Sequence, residues 1–219
     1  ASWNTAVGYH AGKANTTGLI TAVGSQALLS NTTGQNNVAV GGYTSGTNYA
    51  ALTFNTTGSN NTDLGNGSMS DNTTGANNVA VGQSALANNT TASENIAIGY
   101  RAMFTNTTGA RNVVIGNEAA DGGNIGSQNT VLGYRAMEAL DNPSTTNTEN
   151  CCIGYLAGGL LTTGVGNTCI GTLSGEFGGA SQGGPTTGEY NTLLGFGALT
   201  SGNTGNSQIV IVAPGSRTH

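Results

Sequence analysis

The chain has 219 residues, including 37 glycines, and only 7% are charged, against roughly 25% in typical soluble domains. The net charge is −5 with five Lys and Arg residues, which argues against a nucleic-acid partner, because phosphate binding needs clustered cations. No apolar run reaches the roughly 18 residues of a membrane span, so no membrane insertion is expected. Hydrophobic residues make up 36% of the chain at fixed spacings, which favours a folded repeat over a disordered linker.

From the N-terminus onward, one glycine recurs after an aliphatic residue with a basic spacing of 17 residues. The successive spacings are 16, 17, 24, 17, 17, 17, 17, 21, 17 and 24, so three repeats carry extra residues. A twelfth repeat ends the chain, with Val212 in the place of the glycine. Such a fixed period indicates a solenoid. The repeat glycines are Gly8, Gly24, Gly41, Gly65, Gly82, Gly99, Gly116, Gly133, Gly154, Gly171 and Gly195.

The residues before each repeat glycine predict a β-strand. The last of them is always aliphatic, the residue three before the glycine is mostly β-branched, and the residue four before is Asn in ten of eleven repeats. Side chains alternate along a strand, so the first two positions share one face. We predict that the residue before the glycine fills the interior of the coil. This core ladder is Val7, Val23, Val40, Leu64, Val81, Ile98, Ile115, Leu132, Ile153, Ile170 and Leu194.

The rest of each repeat predicts a turn, a second short strand and another turn. A small residue follows the glycine, often with Leu or Met after it, and then a sequence related to NTTG, which has the residue types of a turn. One repeat is therefore one coil. Residues 1–219 are expected to form a single domain, an all-β parallel solenoid or β-roll of about twelve coils. The insertions near 42–49, 141–148 and 176–184 are expected to leave the stack as loops.

A third column, two residues before the glycine, is also apolar or small, with Asp63 as its charged exception. A solitary solenoid would place one strand face in water and make it polar. An apolar second face predicts a parallel homo-oligomer in which this column packs against a neighbouring chain. This inter-chain ladder is Ala6, Ala22, Ala39, Ala80, Ala97, Val114, Val131, Cys152, Cys169 and Leu193.

The units NTAVGYHA, NNVAVGQSAL, ENIAIGYRAM and NTVLGYRAM resemble the head repeats of trimeric autotransporter adhesins, which form left-handed parallel β-roll trimers. The longer, NTTG-bearing version resembles repeat regions of phage tail fibres. The resemblance covers essentially the whole chain and implies a homotrimer. No counterpart of an autotransporter stalk, a membrane anchor or a self-cleaving chaperone domain is recognisable, so the resemblance indicates architecture rather than biological role.

Nine Asn-x-Ser/Thr sequons allow two interpretations. They are candidate N-glycosylation sites of an exposed fibre, or the NTTG sequence is simply the turn. Five of them follow the repeat glycine by seven residues, which favours the turn. The sequon asparagines are Asn15, Asn31, Asn55, Asn60, Asn66, Asn72, Asn88, Asn89 and Asn106.

Other side chains give weaker signals. Cys152 and Cys169 share a column in adjacent coils, where they form either a bridge or two buried thiols. Aromatic residues after the glycine either pack over the turn or stack on receptor sugars; they are Tyr9, Tyr100, Tyr134, Tyr155 and Phe196. No metal-ligand cluster, catalytic triad or phosphate loop is marked, so we expect a non-enzymatic protein without a cofactor.

These features favour an extracellular structural fibre segment that projects or presents a receptor-binding surface. A phage tail fibre on a virion is the preferred form, and the head of a cell-surface adhesin is the alternative. The receptor would be a host-surface glycan or protein. An ice-binding solenoid is a minor alternative, because the best Thr column is interrupted by Val38, Val79, Ile96 and Val113. A hydrolytic solenoid would need a carboxylate pair in a groove.

Overall fold

In the computed structural model, which describes residues 3–43, 49–142, 147–175, 187–200 and 205–212, the chain forms an all-β parallel solenoid of about eleven turns. Each coil contributes one short strand, and the described residues contain no helix. The strands are β1 Thr5–Val7, β2 Ile20–Val23, β3 Asn37–Val40, β4 Thr62–Leu64, β5 Val79–Val81, β6 Ile96–Ile98, β7 Val113–Ile115, β8 Thr130–Leu132, β9 Cys151–Ile153, β10 Thr168–Ile170, β11 Thr192–Leu194 and β12 Ile209–Ile211.

The twelve strands form one parallel sheet in chain order, and equivalent residues of successive repeats are paired. The register continues across the insertions: Val38 pairs with Thr62 and Thr130 pairs with Cys151. The extra residues therefore do not enter the sheet. Of the predicted loops, residues 44–48 and 143–146 and the whole of 176–184 lie outside the described residues. Asn147 already pairs with Ser127 in an isolated parallel bridge, so the second insertion ends earlier than predicted.

The predicted second strand is absent from the described residues. Two positions in each coil, two and four residues after the glycine, mostly adopt the left-handed conformation, as at Ser84 (φ 56°) and Leu86 (φ 53°). Left-handed residues break an extended strand, so this segment is a series of turns. It stacks nevertheless, because Leu86 N donates to Ala102 O of the next coil at 2.9 Å.

The repeat glycine is required both by its conformation and by the close approach of the next coil. Gly116 has a φ of 147°, and a Cβ placed on it would lie 2.1 Å from the carbonyl oxygen of Gly133. No side chain fits in that space, and L-residues avoid that φ. The glycine column therefore brings successive coils into direct backbone contact at one corner of the solenoid.

The predicted assignment of the two strand faces is wrong. The inter-chain ladder lies inside the coil: of its members only Ala6, in the terminal strand, is exposed, and the other nine are fully buried within the single chain. The core ladder points outward. Val7, Leu64, Leu132 and Ile170 are exposed, and Val23, Val40, Val81, Ile98, Ile115, Ile153 and Leu194 are half-buried.

The volume of the interior explains this reversal. The left-handed turn directs a large side chain, such as Leu86 or Met103, into the coil, and in these two coils the inner strand residue is the small Ala80 or Ala97. In two later coils the turn carries Gly158 or Gly175, and the inner strand residue is Cys152 or Cys169 instead of alanine. A Cβ on Gly158 would lie 2.5 Å from the sulfur of Cys152, so the two positions share one volume. Close packing thus couples turn and strand within each coil.

Candidate interaction surface

The outward strand face is a continuous uncharged surface along the solenoid, with one aliphatic column and one column of mostly threonine and aliphatic residues. We define this face by two residues from each strand. They are the first and last residues of a three-residue strand, and the second and fourth residues of the four-residue strands β2 and β3. Its second column is the core ladder, continued by Ile211. Its first column is Thr5, Thr21, Val38, Thr62, Val79, Ile96, Val113, Thr130, Cys151, Thr168, Thr192 and Ile209.

No charged residue lies on this face. Large aliphatic side chains remain substantially exposed even in the middle of the stack, such as Leu64 at 49% and Leu132 at 45%. With strands about 4.8 Å apart, the face is about 53 Å long and about 10 Å wide, on the order of 500 Å² in projection. The largest apolar patch on a typical monomer is about 300–600 Å², and such patches are commonly interaction sites.

Two columns of asparagine side chains lie inside the solenoid. In the column four residues before the glycine, Asn78 Nδ2 donates to Asn61 Oδ1 at 3.2 Å and to Ala92 O at 3.0 Å. Its Oδ1 accepts from Asn95 N at 2.9 Å. Each such asparagine therefore satisfies backbone groups of the neighbouring turns that have no strand partner.

The second column consists of the asparagines that begin the NTTG-related turns. Six of the nine sequon asparagines belong to it. Asn72 Nδ2 donates to Asn55 Oδ1 at 2.7 Å and to Gly75 O at 3.0 Å. A glycan cannot be accommodated on a fully buried, hydrogen-bonded amide. The structure therefore supports the turn interpretation and contradicts glycosylation at Asn31, Asn55, Asn72, Asn89 and Asn106. Four sequon asparagines retain surface exposure, namely Asn15, Asn60, Asn66 and Asn88.

The cysteines are free thiols. Cys152 and Cys169 are register partners on the inner face and are fully buried. A hydrogen bond with the Cys169 thiol, followed by burial, raises the pKa of the Cys152 thiol well above its ordinary value. Cys151 lies on the outward strand face and is half-buried.

Asp63 is a carboxyl group in the inner column, between Ala39 and Ala80. It is fully buried, and neither carboxyl oxygen accepts a hydrogen bond of ordinary geometry. Burial raises the pKa of Asp63 to about 8, and weak polar contacts with the Ser68 side chain and the Leu52 backbone oppose this rise only in part. At pH values below about 8, the buried carboxyl group of Asp63 is therefore mostly protonated and uncharged.

The aromatic side chains that follow the repeat glycines all remain exposed. Tyr9 stacks on His10 with ring centroids 3.8 Å apart, and Tyr134 stacks on Tyr155 at 5.8 Å. Tyr100 and Phe196 occupy the equivalent position in their coils. The structure thus places these rings on the surface, where both packing over the turn and ligand stacking are compatible with their position.

Ionic contacts are few and lie at the surface. Arg101 is paired with Asp121, and Arg135 lies beside Glu118 and Glu138. Across the part of the chain that the structure describes, no three His, Cys, Asp or Glu side chains are grouped as metal ligands, and no helix could cross a membrane. No family model, curated protein or solved structure matches this chain.

Proposed function

We propose that this chain is a non-enzymatic structural fibre segment that self-associates through the outward strand face into a parallel homotrimer and carries a receptor-binding surface. The observation that supports it is the uncharged outward strand face, whose second column is aliphatic in all twelve strands. Leaving the exposed part of these aliphatic side chains in water would be costly, because burial of apolar surface stabilises an assembly by roughly 25 cal/mol per Å².

A second copy of the same chain is the partner that fits this face. Parallel chains in register place equivalent coils opposite one another, so the aliphatic columns meet along their whole length. The face has no charge for a charged partner to complement and few hydrogen-bonding groups beyond its threonines and Cys151. The three-fold arrangement follows from the resemblance of the repeat to the β-roll trimers of autotransporter heads.

The biological setting follows from the same resemblance. A tail fibre of a phage is the preferred role, with the chain outside the cell as part of a virion. The head of a bacterial surface adhesin is the alternative role. Both roles use a rod that holds a receptor-binding surface away from the particle or cell, and the stack of coils supplies such a rod.

Sedimentation equilibrium of the purified chain tests the assembly. We expect a stable species of three times the chain mass. The variant with Ile98→Asp and Leu132→Asp places charges at two positions of the outward strand face and should sediment as a monomer. The matched control carries Thr57→Asp and Thr74→Asp, two exposed turn positions away from the strands, and should remain a trimer.

A folded, soluble monomer of the unaltered chain at micromolar concentration would contradict the proposal. A stable dimer would be consistent with association through this face but would contradict the three-fold arrangement. Circular dichroism of each variant establishes whether the coils remain folded. The charged variant should retain its folded spectrum, because both substituted side chains point away from the interior.

A further inference from the structure

A groove of about 350 Å³ lies on the turn segments that follow the repeat glycines. It runs across successive coils from Tyr49 to Tyr100 and Phe104, about three coil spacings or about 14 Å. None of its lining residues belongs to a strand, so the groove and the outward strand face share no residue.

A local departure from the repeat opens the groove. The position two residues after the glycine usually carries a large side chain, such as Gln26 or Arg101. In two successive coils it is Gly67 and Ser84. Gly67 has a φ of 68°, and Gln26, Ser84 and Arg101 adopt similar angles, so the turn does not require glycine there. The missing side chain creates space without changing the backbone.

Aromatic rings stand at both ends of the groove, and neighbouring contacts hold them. Tyr49 meets Phe54 edge-to-face, with centroids 5.0 Å apart, and is 44% exposed. At the other end, the Arg101 guanidinium lies 4.3 Å from the ring centroid of Phe104. Arg101 is fixed by two hydrogen bonds to Asp121, at 3.1 and 3.2 Å. The rings of Tyr49 and Phe104 therefore lose little conformational freedom when a ligand binds.

Polar groups line the space between the rings. Among the described residues, the side chains of Gln83 and Asn88 make no hydrogen bond to the protein, and Asp71 accepts only a long one, 3.3 Å from Ser70. Two amides and a carboxylate together offer both donors and acceptors. Few, convergent polar groups between apolar walls are typical of a small-ligand site.

We propose that this groove binds a short, neutral hexopyranose oligosaccharide. A pyranose presents an apolar C–H face, which suits Tyr49 and Tyr100, and a rim of hydroxyls, which suits amide and carboxylate groups. Asp121 neutralises the charge of Arg101, and Asp71 adds a negative charge, so acidic sugars are disfavoured. The inference rests on the proposed function, because it names the ligand of the receptor-binding surface.

Saturation-transfer NMR and calorimetry with maltotriose, N-acetyllactosamine and chitotriose test the inference, with 3′-sialyllactose as the acidic probe. At least one neutral probe should bind the unaltered, assembled protein. Tyr100→Ala should weaken this binding about tenfold, and Asn88→Ala about fivefold. Gly67→Gln restores the side chain found at Gln26 and should abolish binding by filling the groove.

Tyr134→Ala is the matched control. Tyr134 occupies the same repeat position as Tyr100 and is 45% exposed, against 42%, but lies outside the groove. Its replacement should leave the affinity unchanged. The inference fails if no neutral probe binds, if only 3′-sialyllactose binds, or if Tyr134→Ala weakens binding as much as Tyr100→Ala. Sedimentation of the same samples separates this failure from a failure of assembly.

Discussion

At the scale of single residues, buried asparagines replace much of the hydrogen bonding that a second strand would have provided. Left-handed turn residues leave backbone groups that face the interior, and an Asn amide carries both a donor and an acceptor for them. The column repeats from coil to coil because each amide serves its own coil and the next. This requirement accounts for Asn in ten of eleven repeats.

Asn78→Ala tests this role in the middle of the stack. The change leaves the N–H of Asn95 without its acceptor and removes one of the two amide donors to the carbonyl of Ala92, which keeps the Asn89 amide. We expect the free energy of unfolding to fall by about 2–3 kcal/mol in urea titrations. Asn77→Gly is the control, because Asn77 is exposed and its φ of 58° suits glycine. Equal losses in the two variants would disprove the assigned role.

Asp63 makes stability dependent on pH. Its pKa is about 8 in the folded chain and 3.8 ordinarily, so between these values the folded state binds more protons than the unfolded state. The contribution of Asp63 to stability is therefore most favourable below about pH 4 and falls as the pH rises toward 8, by up to about 1.4 kcal/mol per pH unit. Thermal unfolding across this range should detect the fall.

Asp63→Ala, which introduces the residue of the neighbouring coils Ala39 and Ala80, should flatten this pH dependence and stabilise the chain at pH 8. Asp71→Asn, a change at a carboxyl group near the surface, should retain the dependence. An unaltered pH profile in Asp63→Ala would show that another group is responsible.

At the scale of the strand, the outward face contains a native probe of assembly. Cys151 lies between Thr130 and Thr168 in the first column of that face, whereas Cys152 and Cys169 are enclosed within the coil. Assembly through this face should shield Cys151. We expect slow maleimide modification in the unaltered protein and at least about tenfold faster modification in the Ile98→Asp, Leu132→Asp variant, measured by mass spectrometry.

Cys151→Ser should remove the modified species in both proteins, which assigns the reaction to this thiol. Equal modification rates in the unaltered and charged proteins would place the interface elsewhere. Because Cys152 and Cys169 stay buried in either case, their modification would instead report unfolding of the coil.

At the scale of the whole molecule, each coil contacts chiefly its neighbours, so the array should tolerate removal of a complete unit. Deleting residues 79–95 joins Asn78 to Ile96 and restores the repeat sequence. We expect a folded rod about 5 Å shorter by small-angle scattering. Deleting only residues 79–87 misaligns all later columns and should lower the unfolding temperature sharply. Similar unfolding temperatures for the two deletions would contradict columnar stacking.

The sequence by itself determined the period, the parallel stack, the strand positions and the turn character of NTTG. These follow from spacing, because a residue that recurs with a fixed period aligns with its equivalents whatever the interior contains. It also indicated that both strand faces are apolar. The open turn at Gly67 was readable as a departure from the repeat, but its meaning depended on Tyr49, which belongs to an insertion.

Only the tertiary structure decided which strand face is inside. The alternation of side chains along a strand assigns residues to two faces, but it does not show which face the coil encloses. Polarity does not decide it either, because both faces are largely apolar. The left-handed residues after the glycine direct Leu86 and Met103 into the coil, where the inner column is the small Ala80 or Ala97. The larger aliphatic ladder is therefore left outside, because the space within each coil is already filled.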